Sequence, residues 1–152
     1  MMTKVLFVCH GNICRSPMAE YRLRALAREA GLQARITAAS AATSAEELGN
    51  PVYPPARRKL AEHGIACAEH AARQLQRADY DRYDLLIAMD EENLAGMRRI
   101  CGGDPAGKMR LLLSYTDTPR AVADPWYTGD FEAAWQDIDR GCRALLAALT
   151  EP

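Results

Sequence analysis

A chain of 152 residues, 49% hydrophobic and 26% charged, holds enough apolar material for one continuous core, and a single domain over residues 1–152 is expected. Nineteen basic against twenty acidic side chains give a formal net charge of −1, which leaves no electrostatic footprint for nucleic acid or an anionic membrane. Five cysteines, at 9, 14, 67, 101 and 142, are an odd number with no Cys-x2-Cys pair, so neither a disulfide scaffold nor a metal site is expected, and no cofactor.

The chain begins Met1-Met2-Thr3-Lys4, and the apolar run from Val5 to Cys9 is too short for a signal-peptide core or a membrane span, so a cytoplasmic protein is expected. Lys4 to Cys9 predicts a buried β-strand, His10-Gly11-Asn12 a loop, and residues 17–30 a helix. Ser16 suits its N-cap, Pro17 its first position and Gly31 its stop, with Ala19, Leu23, Leu26, Ala27 and Ala30 as the apolar stripe. Further strands are expected at 35–40, 84–89 and 109–115, and helices near 55–63, 91–100 and 131–149; Gly49-Asn50-Pro51 and Cys101-Gly102-Gly103-Asp104-Pro105 read as turns. Four strands alternating with helices predict an α/β fold, a parallel sheet covered on both faces. Ligands bind such sheets beyond the carboxyl ends of the strands, which directs attention to the loop after the first strand.

That loop reads Cys9-His10-Gly11-Asn12-Ile13-Cys14-Arg15-Ser16-Pro17. A bare Cys-x5-Arg is weak, since sixteen arginines and five cysteines produce one by accident roughly 40% of the time. Context makes it specific: it lies between a buried strand and a helix N-terminus, and Gly11 and Asn12 are the residues best able to take the left-handed backbone of an anion nest. Inward-facing N–H groups from His10 to Cys14 and at Ser16, with the positive end of the helix dipole, suit a phosphate dianion. Arg15 adds a planar fork that Lys cannot copy. Helix N-termini also favour thiolate over thiol, which makes Cys9 a candidate nucleophile, and the Ser16 hydroxyl is placed to donate to its sulfur.

The segment Val8 to Pro17 resembles the signature of the low-molecular-weight protein tyrosine phosphatases. The similarity continues in Ser40-Ala41-Ala42-Thr43-Ser44, Gly49-Asn50-Pro51, Ala72-Arg73-Gln74, Met89-Asp90-Glu91-Glu92-Asn93-Leu94 and Asp124-Pro125-Trp126-Tyr127, so it covers nearly the whole chain. The resemblance implies a flavodoxin-like four-stranded parallel sheet with helices on both faces. It also implies hydrolysis of phosphotyrosine through a cysteinyl-phosphate on Cys9, and a hydrogen-bonded set of Asn12, Ser40 and His70 that holds the loop in shape.

Expelling a phenolate needs a proton donor, and the same carboxylate can then activate the hydrolytic water. From the residues alone, Asp90, Asp117, Asp124 and Asp130 all sit near predicted strand ends or loops; the resemblance selects Asp124 in its Asp-Pro loop. Trp126 and Tyr127 would then wall a pocket for an aryl group, and Glu46 would stand on the opposite rim, where the family usually has a large apolar residue after Gly. His10 fills a variable loop position often held by an aliphatic residue. Two enzymes of the same fold are rivals. A thiol-linked arsenate reductase needs a second downstream cysteine about seven residues from the first, and Cys67 has none; an arginine phosphatase typically has Thr at the position of Ile13. A catalytically silent anion-binding domain is the rival from another class. The expected partners are phosphotyrosine proteins, an opposing tyrosine kinase, and phosphate or vanadate as inhibitors, acting on a monomer or weakly self-associating chain. Cys14, inside the loop, is a candidate redox partner that traps oxidised Cys9 as a disulfide.

Overall fold

The computed structural model describes residues 2–151. In chain order the elements are β1 (Thr3–Cys9), α1 (Arg15–Glu29), β2 (Ile36–Ala42), α2 (Pro54–Glu62), α3 (Asp79–Arg82), β3 (Leu85–Ala88), α4 (Glu91–Cys101), β4 (Met109–Leu111), a 3-10 turn (Leu112–Tyr115), α5 (Pro125–Thr128) and α6 (Phe131–Thr150). The four strands form one parallel sheet in the order β2-β1-β3-β4. β1 is central and covered on both faces, which is why Val5 to Val8 is an unbroken apolar run rather than an alternating one.

Alternate residues of β1 feed two cores. Val5 and Phe7 pack with Leu23 of α1, Leu60 of α2 and Ile138 of α6, whereas Leu6 and Val8 face Leu94 and Met97 of α4. Full burial of a Leu, Ile or Phe side chain contributes roughly 1.5–3 kcal/mol, so these layers fix the sheet on which the loops stand. α6 lies close against the 3-10 turn because Gly141 has no side chain; a Cβ there would overlap Leu112. The chain leaves β1 toward β2 on one side and reaches β3 on the other. This reversal opens a crevice at the carboxyl ends of β1 and β3, the place where ligands bind such sheets.

Several boundaries differ from expectation. α1 starts at Arg15, with Cys14 at the cap position and no side-chain cap bond, so Ser16 is not an N-cap and Pro17 is the third helical residue. Pro is still tolerated there, because the N–H groups of a first turn have no intrahelical partner. Ala30 is exposed beyond the helix end. β2 extends to Ala42 because Ala41 and Ala42 pair with Val8 and Cys9, a long-range effect that small residues do not advertise. β4 stops at Leu111, since Leu112 and Leu113 turn away to fill the α6 side of the core. The one-turn helices α3 and α5 are too short to show a period. Among the described residues, no helix is long and apolar enough to cross a membrane.

Candidate active site

The carboxyl end of β1 delivers Cys9 to the base of a pocket of about 250 Å³, and the loop to α1 curls around its sulfur. Asn12 takes the left-handed conformation, with φ of 61° and no exposed surface. Gly11 has no positive φ, so only one of the two residues expected to be left-handed is so. The turn at Asn12 aims its backbone N–H at Cys9 Sγ, 3.3 Å away. Its side chain is held from three sides: Nδ2 donates to Ser16 Oγ (2.8 Å) and Ser40 Oγ (2.9 Å), and Oδ1 accepts from the Arg73 N–H (3.1 Å). His70 Nε2 donates to the Asn12 carbonyl at 2.7 Å, so the structure brings Asn12, Ser40 and His70 together.

Glu20 sets the direction of the hydrogen bond at Ser40. Buried Glu20, held by Arg24, can only accept when ionised, so Ser40 donates to it (2.5 Å) and must accept from Asn12. The second Asn12 N–H donates to Ser16 Oγ, whose hydroxyl lies 3.0 Å from Cys9 Sγ with its hydrogen free to point at the sulfur. The Cys9 sulfur thus has a hydroxyl and a backbone N–H within hydrogen-bond distance. Glu20 was not visible in the sequence as part of the site. Its one signal is an acidic residue on the inward face of an amphipathic helix, four residues after Ser16.

Arg15 is 3% exposed, and its guanidinium spans the pocket wall. Nη1 donates to the Val122 carbonyl (2.9 Å) and lies 3.0 Å from Asp90 Oδ2, while Nη2 lies 3.3 Å from Asp124 Oδ2. Asp90 sits just beyond β3 and caps α4, accepting from the Asn93 N–H at 2.8 Å. It is therefore the tether of Arg15, a role that its appearance among the rival acids did not suggest. Asp124 caps α5 through the Trp126 N–H (3.1 Å), which leaves Oδ2 turned toward Arg15 at the pocket edge. Asp117 is not among the residues lining the pocket; Asp130 caps α6, accepting from the Ala133 N–H.

Trp126 and Tyr127 stand at the mouth, 51% and 84% exposed. Tyr53 backs Trp126, with ring centroids 4.9 Å apart, and ties itself to the loop by donating its N–H to the Ile13 carbonyl. Its place before Pro54-Pro55 gave no hint of this. Glu46 lies across the mouth, 3.0 Å from His10 Nε2. All five cysteines are free and buried. Burial, reinforced by the negative charges of Cys9 and Asp124, pushes the Cys14 thiol up to about 12.

A buried sulfur in a cage of donors, an arginine fork and a carboxylate at the rim form a site for a phosphate monoester. The model of the family described as low molecular weight phosphotyrosine protein phosphatase matches residues 4–152. The chain belongs to that family. Phosphoric monoester hydrolysis is accordingly its chemistry. The low molecular weight protein-tyrosine-phosphatase YfkJ of Bacillus subtilis is 43% identical over 150 residues, 97% of this chain and 96% of that protein. The crystal structure of YfkJ superposes with a TM-score of 0.95, covering 98% of this chain and 95% of the other. The low molecular weight phosphotyrosine protein phosphatase of Homo sapiens is 39% identical over 93% of this chain and 92% of its own length. A Drosophila arginine phosphatase, DARP, shares the fold at 30% identity and a TM-score of 0.89, over 98% of this chain and 99% of its own.

Proposed function

We propose that the protein hydrolyses phosphotyrosine in cytoplasmic proteins through a cysteinyl-phosphate on Cys9. The observation that carries this reading is the cage around one sulfur: Ser16 Oγ at 3.0 Å, the Asn12 N–H at 3.3 Å and the start of α1 immediately behind. Arg15 binds two phosphoryl oxygens with its fork, and the loop N–H groups from His10 to Cys14 and at Ser16 bind the rest. Cys9 attacks phosphorus, the bond to the tyrosyl oxygen breaks, and Asp124 passes a proton to the departing phenolate. The resulting carboxylate takes a proton from water as that water attacks the phosphocysteine. Phosphate leaves, and the sulfur returns as a thiolate stabilised by Ser16. Trp126 and Tyr127 hold the aryl ring at the pocket mouth.

Asp124→Asn keeps the cap on α5 and removes the proton. Its kcat is expected to fall by roughly 10²–10⁴, more for phosphotyrosine than for an aryl phosphate with an activated leaving group. Equal losses on the two substrates would assign the proton to another group. Ile13 favours this reading over arginine phosphatase, because the loop lacks the hydroxyl that such enzymes carry at that position.

Cys14 serves, in the same proposal, as the redox partner of Cys9. Peroxide oxidises Cys9 to a sulfenic acid, which removes one of the negative charges that hold the Cys14 thiol up. The Cys14 sulfur then attacks the sulfenic sulfur, forming a disulfide and expelling water. Dithiothreitol is expected to restore most activity to peroxide-treated wild type and much less to Cys14→Ser; equal recovery would reduce Cys14 to packing under the loop.

A further inference from the structure

We propose that the preferred substrates carry cationic residues beside the phosphotyrosine, a reading that rests on the phosphatase activity proposed above. The pocket that leads to Cys9 is lined by five carboxylates and one guanidinium, an unexpected balance for a site that receives a dianion. The charges separate into two layers. Inside, Arg15 is matched by Asp90 and Asp124. Outside stand Glu46, Glu47 and Glu92, all partly or fully exposed, with the His10 imidazole as their one basic neighbour among the pocket-lining residues. Glu46 faces that imidazole, Glu47 accepts from Asn50, and Glu92 has no ion-pair partner among the described residues.

A second, independent observation points the same way. Asn93 also lines the pocket and is 2% exposed, and its Oδ1 is, among the described residues, the one fully buried side-chain nitrogen or oxygen with no hydrogen-bond partner. A buried acceptor left unpaired is costly, and a donor arriving with a ligand relieves the cost. The pocket lining thus holds an unpaired acceptor beside its exposed carboxylates, and the exposed faces of Trp126 and Tyr127 add surfaces on which Lys and Arg side chains rest favourably. All positive charge for the phosphate is buried at Arg15 and the start of α1. The parts of a peptide on either side of the phosphotyrosine therefore meet a negative mouth, which attracts Lys and Arg and repels Asp and Glu.

The test compares phosphotyrosine peptides of equal length flanked by lysines, serines or glutamates. Each exposed charge pair is worth only about 1.5- to 5-fold, so two attractive pairs replaced by two repulsive ones give roughly tenfold or more in kcat/KM at low salt. The Lys-flanked peptide is expected to lead, the ratio to shrink as salt rises, and the ratio to fall to about twofold in the double variant Glu46→Gln, Glu92→Gln. Efficient hydrolysis of all three peptides at similar rates, a lead for the Glu-flanked peptide, or a Lys preference indifferent to salt would overturn the inference while leaving the phosphatase reading intact. Failure of the folded protein to hydrolyse any of them would overturn both.

Discussion

Replacing Cys9 with serine is expected to lower kcat by roughly 10⁴–10⁶, because the reaction loses its covalent nucleophile and keeps everything else. The partners of the sulfur are the Ser16 hydroxyl and the Asn12 N–H, and neither is a general base. Neither can remove a proton from a serine hydroxyl. A serine there is left as a neutral alcohol with no base. Arg15 and the loop N–H groups remain, so inorganic phosphate is expected to bind within about tenfold of its wild-type affinity. Phosphate binding by titration, alongside turnover of an aryl phosphate, separates the two roles. Residual activity above about 1% of wild type would sink the nucleophile assignment.

Arg15→Lys is the second large effect, a loss of roughly 10³-fold or more in kcat/KM with the charge retained. The guanidinium makes three separate contacts through two nitrogens, to Val122, Asp90 and Asp124, and these orient its plane. A lysine ammonium is one point that cannot reach Asp90 and Asp124 together while facing two phosphoryl oxygens. It also leaves two partly buried carboxylates less well matched, so a lower Tm is expected with an unchanged far-UV spectrum. Activity within tenfold of wild type would show that positive charge alone suffices and that the fork has no role.

The loop from Cys9 to Ser16 was legible because its chemistry is contiguous: strand, anion nest and helix start within eight residues. The parallel sheet and the place to look above it followed from alternation of apolar runs with helical periods, whereas the strand order β2-β1-β3-β4 is a long-range property that no local pattern carries. Other parts of the site are contacts between residues far apart in the chain, and no local pattern announces them. Asp90 reaches Arg15 from the end of β3, and Val122 supplies a carbonyl across more than a hundred residues. Glu20 looks like any helix carboxylate until Ser40 of β2 is laid against it. Ser16 was read correctly as a partner of the Cys9 sulfur and wrongly as an N-cap. Its sequence context favours an N-cap, but the helix starts two residues earlier than expected, at Arg15 with Cys14 at the cap, and the hydroxyl lies against the Cys9 sulfur. Local preference yields there to long-range contacts, since Ser16 Oγ also accepts from Asn12, which in turn is tied to Ser40 and through it to Glu20.

Transfer of the phosphoryl group through Cys9 is tested most directly by mixing enzyme with excess aryl phosphate, stopping the reaction within one turnover under denaturing conditions and mapping the labelled peptide. A phosphoryl group on the peptide that carries Cys9, formed as fast as the phenol is released and absent from Cys9→Ser, is the predicted result. Label on a different side chain, or steady turnover with no phosphorylated peptide at any time, would contradict it.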